Sequence, residues 1–182
     1  KEAAIIGGCA SLIYLTIGDI SYRLSLSRGG LKSKLITDMV AKSAAKKPKD
    51  EYKEKLDSMI DDGADWFMHQ DTEKIIIEKK HRLSLYADLI RPDKPSNVYI
   101  ICIHGYTSSP ANMGIYAKKY HELGYNVLLP SLRGHGDSEQ DFITMGWNDR
   151  LDVIEWINYI AERHPESKII LHGVSMGAAT TM

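Results

Sequence analysis

The sequence contains little cysteine and no concentrated positive charge, and both absences exclude classes of function. Its 182 residues include two cysteines, Cys9 and Cys102, which both lie in apolar stretches. Two such thiols provide neither a disulfide framework nor the ligand spacing of a zinc site. The formal net charge is −1, and no basic block is present. We therefore expect no nucleic-acid partner, because the phosphate backbone is bound by basic surfaces.

Motifs for metal or nucleotide chemistry are also missing. The sequence has neither an H-E-x-x-H zinc motif nor a glycine-rich phosphate-binding loop. We therefore expect no metal and no cofactor. The composition, 43% hydrophobic and 26% charged, is that of a globular chain long enough for one domain with a real core.

The N-terminal residues form an apolar run, Ala3–Ile17, which Asp19 ends. A helix of this length measures roughly 23 Å, less than the ~30 Å hydrocarbon core of a bilayer. A tilted or longer helix would span it, so residues 1–22 are predicted to be a membrane anchor or signal segment. A buried soluble helix is the alternative. The basic residues after the run favour a cytoplasmic location for the rest of the chain.

The rest of the sequence divides into two predicted parts. Residues 23–70 contain a lysine-rich linker at 43–50 and a packing helix from Glu51, with Asp50 as its N-cap. Residues 71–182 alternate between strand and helix patterns. Strands are predicted at Lys74–Lys79, Leu83–Ile90, Val98–Ile103, Asn126–Leu129 and Lys168–Leu171, and helices at Ala111–Leu123 and Trp147–Arg163.

The connections between these elements predict the fold class. The first two strands flank a short polar turn at 80–82, which indicates a hairpin. The run Val98–Ile103 is continuously apolar, as expected for a parallel strand buried on both faces. Strands and helices then alternate with short connections. We therefore predict an α/β fold with a doubly wound, mostly parallel sheet and an N-terminal antiparallel hairpin.

The pentapeptide Gly173-Val174-Ser175-Met176-Gly177 fits the pattern G-x-S-x-G, and its setting makes the match informative. It follows an apolar strand and precedes a helix, which is the context of a nucleophile elbow. Glycines two residues before and after the serine avoid collisions in such a sharp turn. The pattern predicts Ser175 as a catalytic nucleophile. A serine in an ordinary β–α turn is the alternative.

A second loop, His104-Gly105-Tyr106, follows the strand Val98–Ile103. In this architecture the loop donates a backbone N–H to the oxyanion, so we predict the Tyr106 and Met176 amides as the oxyanion hole. Gly105 would allow the backbone to approach closely. His104 precedes the serine, whereas the triad order is serine, acid, histidine. A structural histidine is therefore favoured over a catalytic base.

A third loop contains Arg133-Gly134-His135-Gly136 and follows the strand that begins at Asn126. Arg133 and His135 are predicted to stabilise this tight turn through hydrogen bonds rather than to act on a substrate. Two glycines within four residues permit a sharp change of chain direction at the carboxyl edge of the sheet.

Four segments together resemble bacterial, often membrane-anchored α/β-hydrolases of the serine aminopeptidase-like group: HGYTSSPANM, LLPSLRGHGDSE, GWNDRLDVIEWI and LHGVSMGAAT. The resemblance runs from about Ile75 to Met182. It implies an α/β-hydrolase fold whose C-terminal part is absent, and a serine hydrolase that acts on small-molecule or lipid-like esters or amides. It also implies an N-terminal membrane anchor with an extracytoplasmic catalytic domain, contrary to the cytoplasmic location that the charges favour.

The resemblance leaves the triad incomplete within this sequence. The acid and the histidine follow the serine in such enzymes, so we expect them beyond Met182. The 182 residues alone are expected to show little activity. The resemblance does not decide between esterase or lipase activity and peptidase activity. The alternative to an enzyme is a non-catalytic binding or scaffold protein that keeps the elbow.

Overall fold

The computed structural model describes residues 2–27, 50–79, 83–138 and 140–182. The predicted hairpin turn at 80–82 and nearly all of the predicted linker at 43–50 lie outside these residues. The chain forms two compact units. The first comprises Lys1–Lys47 with Asp141–Ile143, and the second comprises Pro48–Gln140 with Thr144–Met182.

The first unit contains helix α1, Glu2–Leu26. At the end of α1, the Ile143 N–H donates to the Leu26 carbonyl at 2.8 Å, and the rings of Tyr22 and Phe142 lie 5.4 Å apart. Within the part of the chain described, no helix combines the length and the apolar character needed to cross a membrane. Helix α1 continues past the run Ala3–Ile17 through the charged pair Asp19 and Arg23.

The second unit begins with helix α2, Glu51–Met68. The Asp50 carboxylate accepts a hydrogen bond from the Tyr52 N–H at 3.1 Å, so the predicted N-cap is confirmed. Gly63 of this helix contacts the backbone at Gly114, where a β-carbon on either glycine would overlap the other chain segment. Helix α2 is thus packed tightly in the same unit as the sheet.

The second unit contains a five-stranded sheet with the spatial order β1-β2-β4-β3-β5. The hairpin strands β1 and β2 are antiparallel, β2 is antiparallel to β4, and β3 lies parallel to both β4 and β5. The predicted doubly wound sheet with an N-terminal hairpin is confirmed. The strands are β1 (Glu73–Lys79), β2 (Leu83–Ile90), β3 (Val98–Ile103), β4 (Asn126–Ser131) and β5 (Lys168–Gly173).

Three strands and two helices differ from their predicted bounds. Strand β1 begins one residue earlier, at Glu73, which pairs with Leu89. Strand β4 continues to Ser131 because its last residues pair with β2, and β5 continues to Gly173, which pairs with Ile103. A 3₁₀ turn at Pro110–Met113 precedes helix α3, Gly114–Glu122, and the positive φ of 80° at Gly124 ends that helix as predicted. The remaining helices are α4 (Asp149–Arg163) and α5 (Met176–Thr181).

The core lies against one face of β3 and β4 and extends to α2 and α3. Alternate residues of a strand point to opposite faces, so Ile100 and Cys102 face this cluster while Ile101 and Ile103 point away from it. All four are buried, which confirms the prediction that β3 is covered on both faces. The cluster consists of Phe67, Ile90, Ile100, Cys102, Met113, Ala117, Val127 and Leu129.

The strand order places two loops side by side. From β3 the chain moves to β4 on one side, and from β4 it crosses to β5 on the other side of β3. The carboxyl ends of β3 and β5 are therefore neighbours, and Ile103 pairs with Gly173. Such a reversal of winding direction is where open α/β sheets bind ligands. The loops that carry Gly105 and Ser175 both begin at this point.

Candidate active site

Ser175 occupies a sharp turn between β5 and α5. Its backbone has φ 54° and ψ −116°, a region that non-glycine residues rarely enter. This conformation costs about 1–3 kcal/mol and persists only where the surrounding structure enforces it. The side chain is exposed at the carboxyl edge of the sheet. The serine is therefore presented to solvent at the expense of backbone strain.

The two glycines of the pentapeptide are required by space. A β-carbon on Gly173 would overlap the Gly177 carbonyl and lie 2.5 Å from the Ala178 nitrogen. A β-carbon on Gly177 would overlap the Ile103 carbonyl and lie 2.6 Å from the His104 carbonyl oxygen. The helix α5 thus packs directly on the end of β3, and this contact forces the turn at Ser175.

The loop after β3 lies directly beside the serine. A β-carbon on Gly105 would lie 3.3 Å from the Ser175 Cβ and 3.9 Å from its Oγ. The Val174 N–H donates to the Ile103 carbonyl at 3.1 Å, which ties the two loops together. The structure therefore brings Gly105 and Ser175 into contact, as a shared site requires.

The two predicted oxyanion donors sit at the ends of these loops. Tyr106 follows Gly105, and Met176 is the first residue of α5. N–H groups in the first turn of a helix have no partner within that helix. The helix start thus places the Met176 amide next to the serine, and the contact between Gly105 and Ser175 places Tyr106 one residue from the same point.

His104 is fully buried and bonded to backbone through both ring nitrogens. The Leu132 N–H donates to its Nε2 at 3.1 Å, so Nε2 is an acceptor and Nδ1 carries the proton. Nδ1 then donates to the Gly105 carbonyl at 2.8 Å. Burial lowers the pKa of His104 to about 4. A neutral imidazole with both nitrogens engaged favours the structural interpretation over a catalytic base.

Arg133 and His135 bind to their surroundings rather than to the open edge. Arg133 forms a bidentate ion pair with Asp152 of α4, with Nε to Oδ2 and Nη2 to Oδ1 at 2.7 Å. The hydrogen bonds to Asp152 raise the pKa of Arg133. His135 Nδ1 lies 2.9 Å from the Arg133 carbonyl, and its Nε2 accepts from the Thr107 N–H at 3.3 Å. This loop is thereby fixed to both α4 and the loop after β3.

We expect the buried neutral state of His104 to make the fold acid-sensitive. The folded pKa of about 4 lies below the unfolded value of 6.5, so the unfolded chain takes up a proton that the folded chain excludes. The free energy of unfolding should fall by about 3 kcal/mol from pH 6.5 to pH 4 on this account and change little above pH 7. Urea unfolding of the full-length protein across this range measures the slope.

A non-titrating variant isolates this contribution. His104→Asn retains an amide that can donate to the Gly105 carbonyl but takes up no proton, so its unfolding free energy should depend less on pH. His69→Asn, the same substitution at an exposed position of α2, supplies the control. Parallel slopes in all three proteins would contradict the prediction.

Sequence reasoning missed the turn that supports α5. The Asp149 carboxylate accepts from the Thr144 hydroxyl at 2.6 Å and from the Gly146 N–H at 2.9 Å. A β-carbon on Gly146 would lie 3.1 Å from Thr180 Oγ1, so this turn packs on α5. An acidic residue in the first turn of a helix was the available signal, since it complements the helix dipole. Its partners were not readable from the sequence.

The site holds no cluster of metal-ligand side chains among the residues that the structure describes, where no three histidine, cysteine or carboxylate groups are placed to hold an ion. The side chains of His104, His135, Arg133 and Asp152, which lie in or support these loops, are each bonded within the protein. The serine hydroxyl and the backbone amides beside it are groups that can act on a substrate at this edge.

The amino-acid sequence is similar to one protein family and to two curated bacterial proteins. Residues 94–182 match the sequence model of the family described as "Serine aminopeptidase, S33". Over 90 residues the chain is 31% identical to the thermostable monoacylglycerol lipase of Bacillus sp. (strain H-257), covering 47% of this chain and 34% of the lipase. It is 29% identical to the uncharacterized protein YqkD of Bacillus subtilis (strain 168) over 117 residues, which are 64% of this chain and 38% of YqkD.

The fold is also similar to that of solved hydrolase structures. The Pyrococcus furiosus esterase Pf2001 superimposes with a TM-score of 0.56 at 30% identity, covering 63% of this chain and 45% of the esterase. An α/β serine hydrolase homologue from Coxiella burnetii shares the fold with a TM-score of 0.50 at 21% identity, covering 61% of this chain and 55% of that one. The chain spans just over a third of the length of the two curated relatives.

Proposed function

Because this chain belongs to the α/β-hydrolase superfamily, we propose that it carries the nucleophile and the oxyanion hole of a serine hydrolase that cleaves esters. The observation that carries the proposal is the contact between Gly105 and the exposed, strained Ser175 at the carboxyl ends of β3 and β5. Relatives named as a lipase and an esterase favour ester substrates.

The proposed reaction is acyl transfer to water. The Ser175 Oγ attacks the ester carbonyl carbon, its proton passes to a base, and the alcohol leaves to give an acyl-enzyme. The Tyr106 and Met176 amides donate to the oxyanion that forms at the carbonyl oxygen. Water then attacks the acyl-enzyme and releases the acid, which restores the serine hydroxyl.

The base and the acid of the triad are proposed to come from residues after Met182 in the full-length protein. His104 and His135 use both ring nitrogens for contacts with the backbone, so neither is available to take the Ser175 proton. The order of the triad in this superfamily places the acid and the histidine after the serine. Substrate-selecting residues are proposed to lie there as well.

A fluorophosphonate probe tests the nucleophile directly. In the full-length protein we expect rapid covalent labelling, with the adduct on the peptide that contains Ser175, because an activated serine displaces fluoride from phosphorus. Ser175→Ala should not label. Ser167→Ala, in the turn before β5, serves as the matched control and should label at the same rate as the unaltered protein. Equal labelling of the Ser175→Ala protein would contradict the assignment.

The peptidase alternative rests on one observation, the match to a family described as a serine aminopeptidase. p-Nitrophenyl esters of several acyl lengths and aminoacyl amides, assayed side by side on the full-length protein, separate the two substrate classes. Preferential amide cleavage would replace the esterase proposal by the peptidase one. A full-length protein that labels with no probe and cleaves neither class would instead be a binding or scaffold protein that keeps the elbow.

A further inference from the structure

Strand β1 forms one edge of the sheet. It pairs with β2 on one side, and among the residues that the structure describes no strand pairs with its other side. An edge strand presents a row of N–H and C=O groups to which a further strand can add. The seven residues Glu73–Lys79 make this outer edge about 24 Å long, at ~3.4 Å per residue.

The side chains along β1 differ in exposure. Ile75 is 5% exposed, whereas Ile76, at the centre of the strand, is 52% exposed. Ile76 shares its face of the sheet with Lys74 and Glu78, because alternate residues of a strand point the same way. Both charged residues are exposed. The outer edge of β1 therefore presents an isoleucine between a positive and a negative side chain.

The sequence of β1 is complementary to its own reverse. When two β1 strands run antiparallel with Ile76 opposite Ile76, opposite charges and isoleucines meet throughout the pair. The facing residues are Glu73 and Lys79, Lys74 and Glu78, Ile75 and Ile77, and Ile76 with itself. Cross-strand pairs of opposite charge and contacts between β-branched side chains stabilise a sheet. Both ends and the centre of the strand therefore favour the same pairing.

Other registers lose this complementarity. A shift by one residue places Glu73 opposite Glu78, and a shift the other way places Lys74 opposite Lys79. A shift by two residues, in either direction, places a charged residue opposite Ile76. Like charges directly opposite each other are destabilising, and a charge opposite an isoleucine gains no ion pair. One register is thus favoured over its neighbours.

The favoured register has two-fold symmetry, so each contact between the copies occurs twice. Lys74 Nζ lies 2.5 Å from Oδ1 of Asp88 on β2. An ammonium group has three donors, so this contact leaves donors for Glu78 of a second copy. An interface in which the same surface of both copies meets closes with two copies.

A groove beside the outer edge of β1 would be covered by the second copy. The groove has a volume of about 280 Å³, and its lining includes Ile76 and Ile77 of β1 and Asn158 and Tyr159 of α4. A second β1 strand at the outer edge brings its own Ile75 next to Ile77 at this groove. Pairing therefore removes apolar side chains from water in addition to forming backbone hydrogen bonds.

We propose that β1 is a dimer interface, at which two copies of this chain pair edge to edge with Ile76 of each copy at the two-fold axis. The sheet then runs continuously through both copies. β1 and β5 stand at the two ends of the strand order, so the interface lies at the other side of the sheet from the turn that carries Ser175. One strand and the adjoining groove form a small interface, so the dimer should dissociate on dilution.

Sedimentation velocity of the full-length protein, from about 1 to 500 μM, tests for the dimer. The unaltered protein should dimerise with a dissociation constant of about 1–100 μM. Ile76→Lys should raise this constant at least about 30-fold, because two like charges would then face each other at the two-fold axis. Met59→Lys, at a position of α2 that is 46% exposed, is the matched control and should leave the constant unchanged.

Mixing two variants identifies the register. Ile76→Glu should also fail to dimerise by itself, since two carboxylates would then face each other. An equimolar mixture of the Ile76→Lys and Ile76→Glu proteins should form a heterodimer, with a dissociation constant about ten-fold or more below that of either variant alone. Only an interface in which residue 76 faces residue 76 of the other copy predicts this restoration.

Three results would overturn the proposal. The first is a full-length protein that stays monomeric over the whole range, as when another part of the chain covers the outer edge of β1. The second is a dimer that Ile76→Lys does not weaken, and the third is a mixture that stays monomeric.

A further variant applies if those at position 76 fail to fold. Glu78→Lys changes an exposed residue and places two positive charges opposite each other twice in the dimer, so it should raise the dissociation constant about ten-fold. An unchanged constant in Glu78→Lys would overturn the proposal as well.

Discussion

Substitution of Ser175 by glycine is expected to abolish turnover and at the same time to stabilise the folded protein. The loss of the nucleophile should lower kcat by at least about 10⁴-fold. The gain in stability comes from the backbone, because φ 54° and ψ −116° strain a residue with a β-carbon and not glycine. After the entropy cost of glycine in the unfolded chain, the net stabilisation should be about 1 kcal/mol.

Alanine at the same position separates the two effects. Ser175→Ala removes the hydroxyl but keeps the β-carbon, so it should lose turnover as fully as glycine and gain no comparable stability. Ser167→Gly, outside the elbow, should be neutral or destabilising, because no positive φ is relieved there. Ester turnover and urea unfolding of the full-length variants measure both quantities. Equal unfolding free energies for the Ser175→Ala and Ser175→Gly proteins would show that the elbow stores no strain.

The opposed effects at Ser175 have a general physical basis. The strain serves to expose the hydroxyl above the sheet, and a chain selected only for stability would place glycine there. The packing of α5 on the end of β3 and the burial of Met176 and Thr180 offset the strain energy at Ser175. Stability and proposed activity therefore compete at a single residue.

Much of the fold was predictable because its signals are local. The apolar run Val98–Ile103 identified a strand buried on both faces, and its bounds in the structure are the same. The pentapeptide around Ser175 identified the turn, since a tight approach of helix and strand leaves no room for β-carbons at its two glycines. Asp50 and Gly124 marked helix ends through backbone chemistry that involves only neighbouring residues.

The contacts between loops were not predictable, because they join residues that are far apart in the sequence. The loop containing Arg133 and His135 was expected to be held by hydrogen bonds, but nothing in the sequence identified Asp152 or Thr107 as the partners. The positive φ of Thr107 runs against the residue type itself. Such a conformation is imposed by tertiary contacts, and a prediction from local preference points the other way.

The N-terminal helix was predicted from its hydropathy, but the position of its end was not. The uncharged run Ala3–Ile17 predicted a helix, and the structure has one from Glu2 to Leu26. The helix extends beyond the uncharged run into a turn with the ion pair Asp19–Arg23, and the run alone did not predict this extension.

Substitution of Gly177 by alanine is expected to be severely damaging to the fold. Its β-carbon would overlap the Ile103 carbonyl and lie 2.6 Å from the His104 carbonyl oxygen, and both are backbone atoms of a buried strand end. No side-chain rotation relieves this collision, so α5 must separate from β3. The free energy of unfolding should fall by at least about 3 kcal/mol, at the upper end of overpacking in a core.

Gly124→Ala provides the matched control, because it tests backbone conformation without collision. A β-carbon there meets nothing within 4 Å, and its cost arises from the φ of 80° alone, which should amount to about 1–2 kcal/mol. Soluble yield and urea unfolding of the full-length variants compare the two. Equal losses of unfolding free energy in Gly177→Ala and Gly124→Ala would show that steric exclusion does not fix the conformation of Ser175. The larger loss that we expect in Gly177→Ala would show that the direct packing of α5 on the end of β3 fixes it.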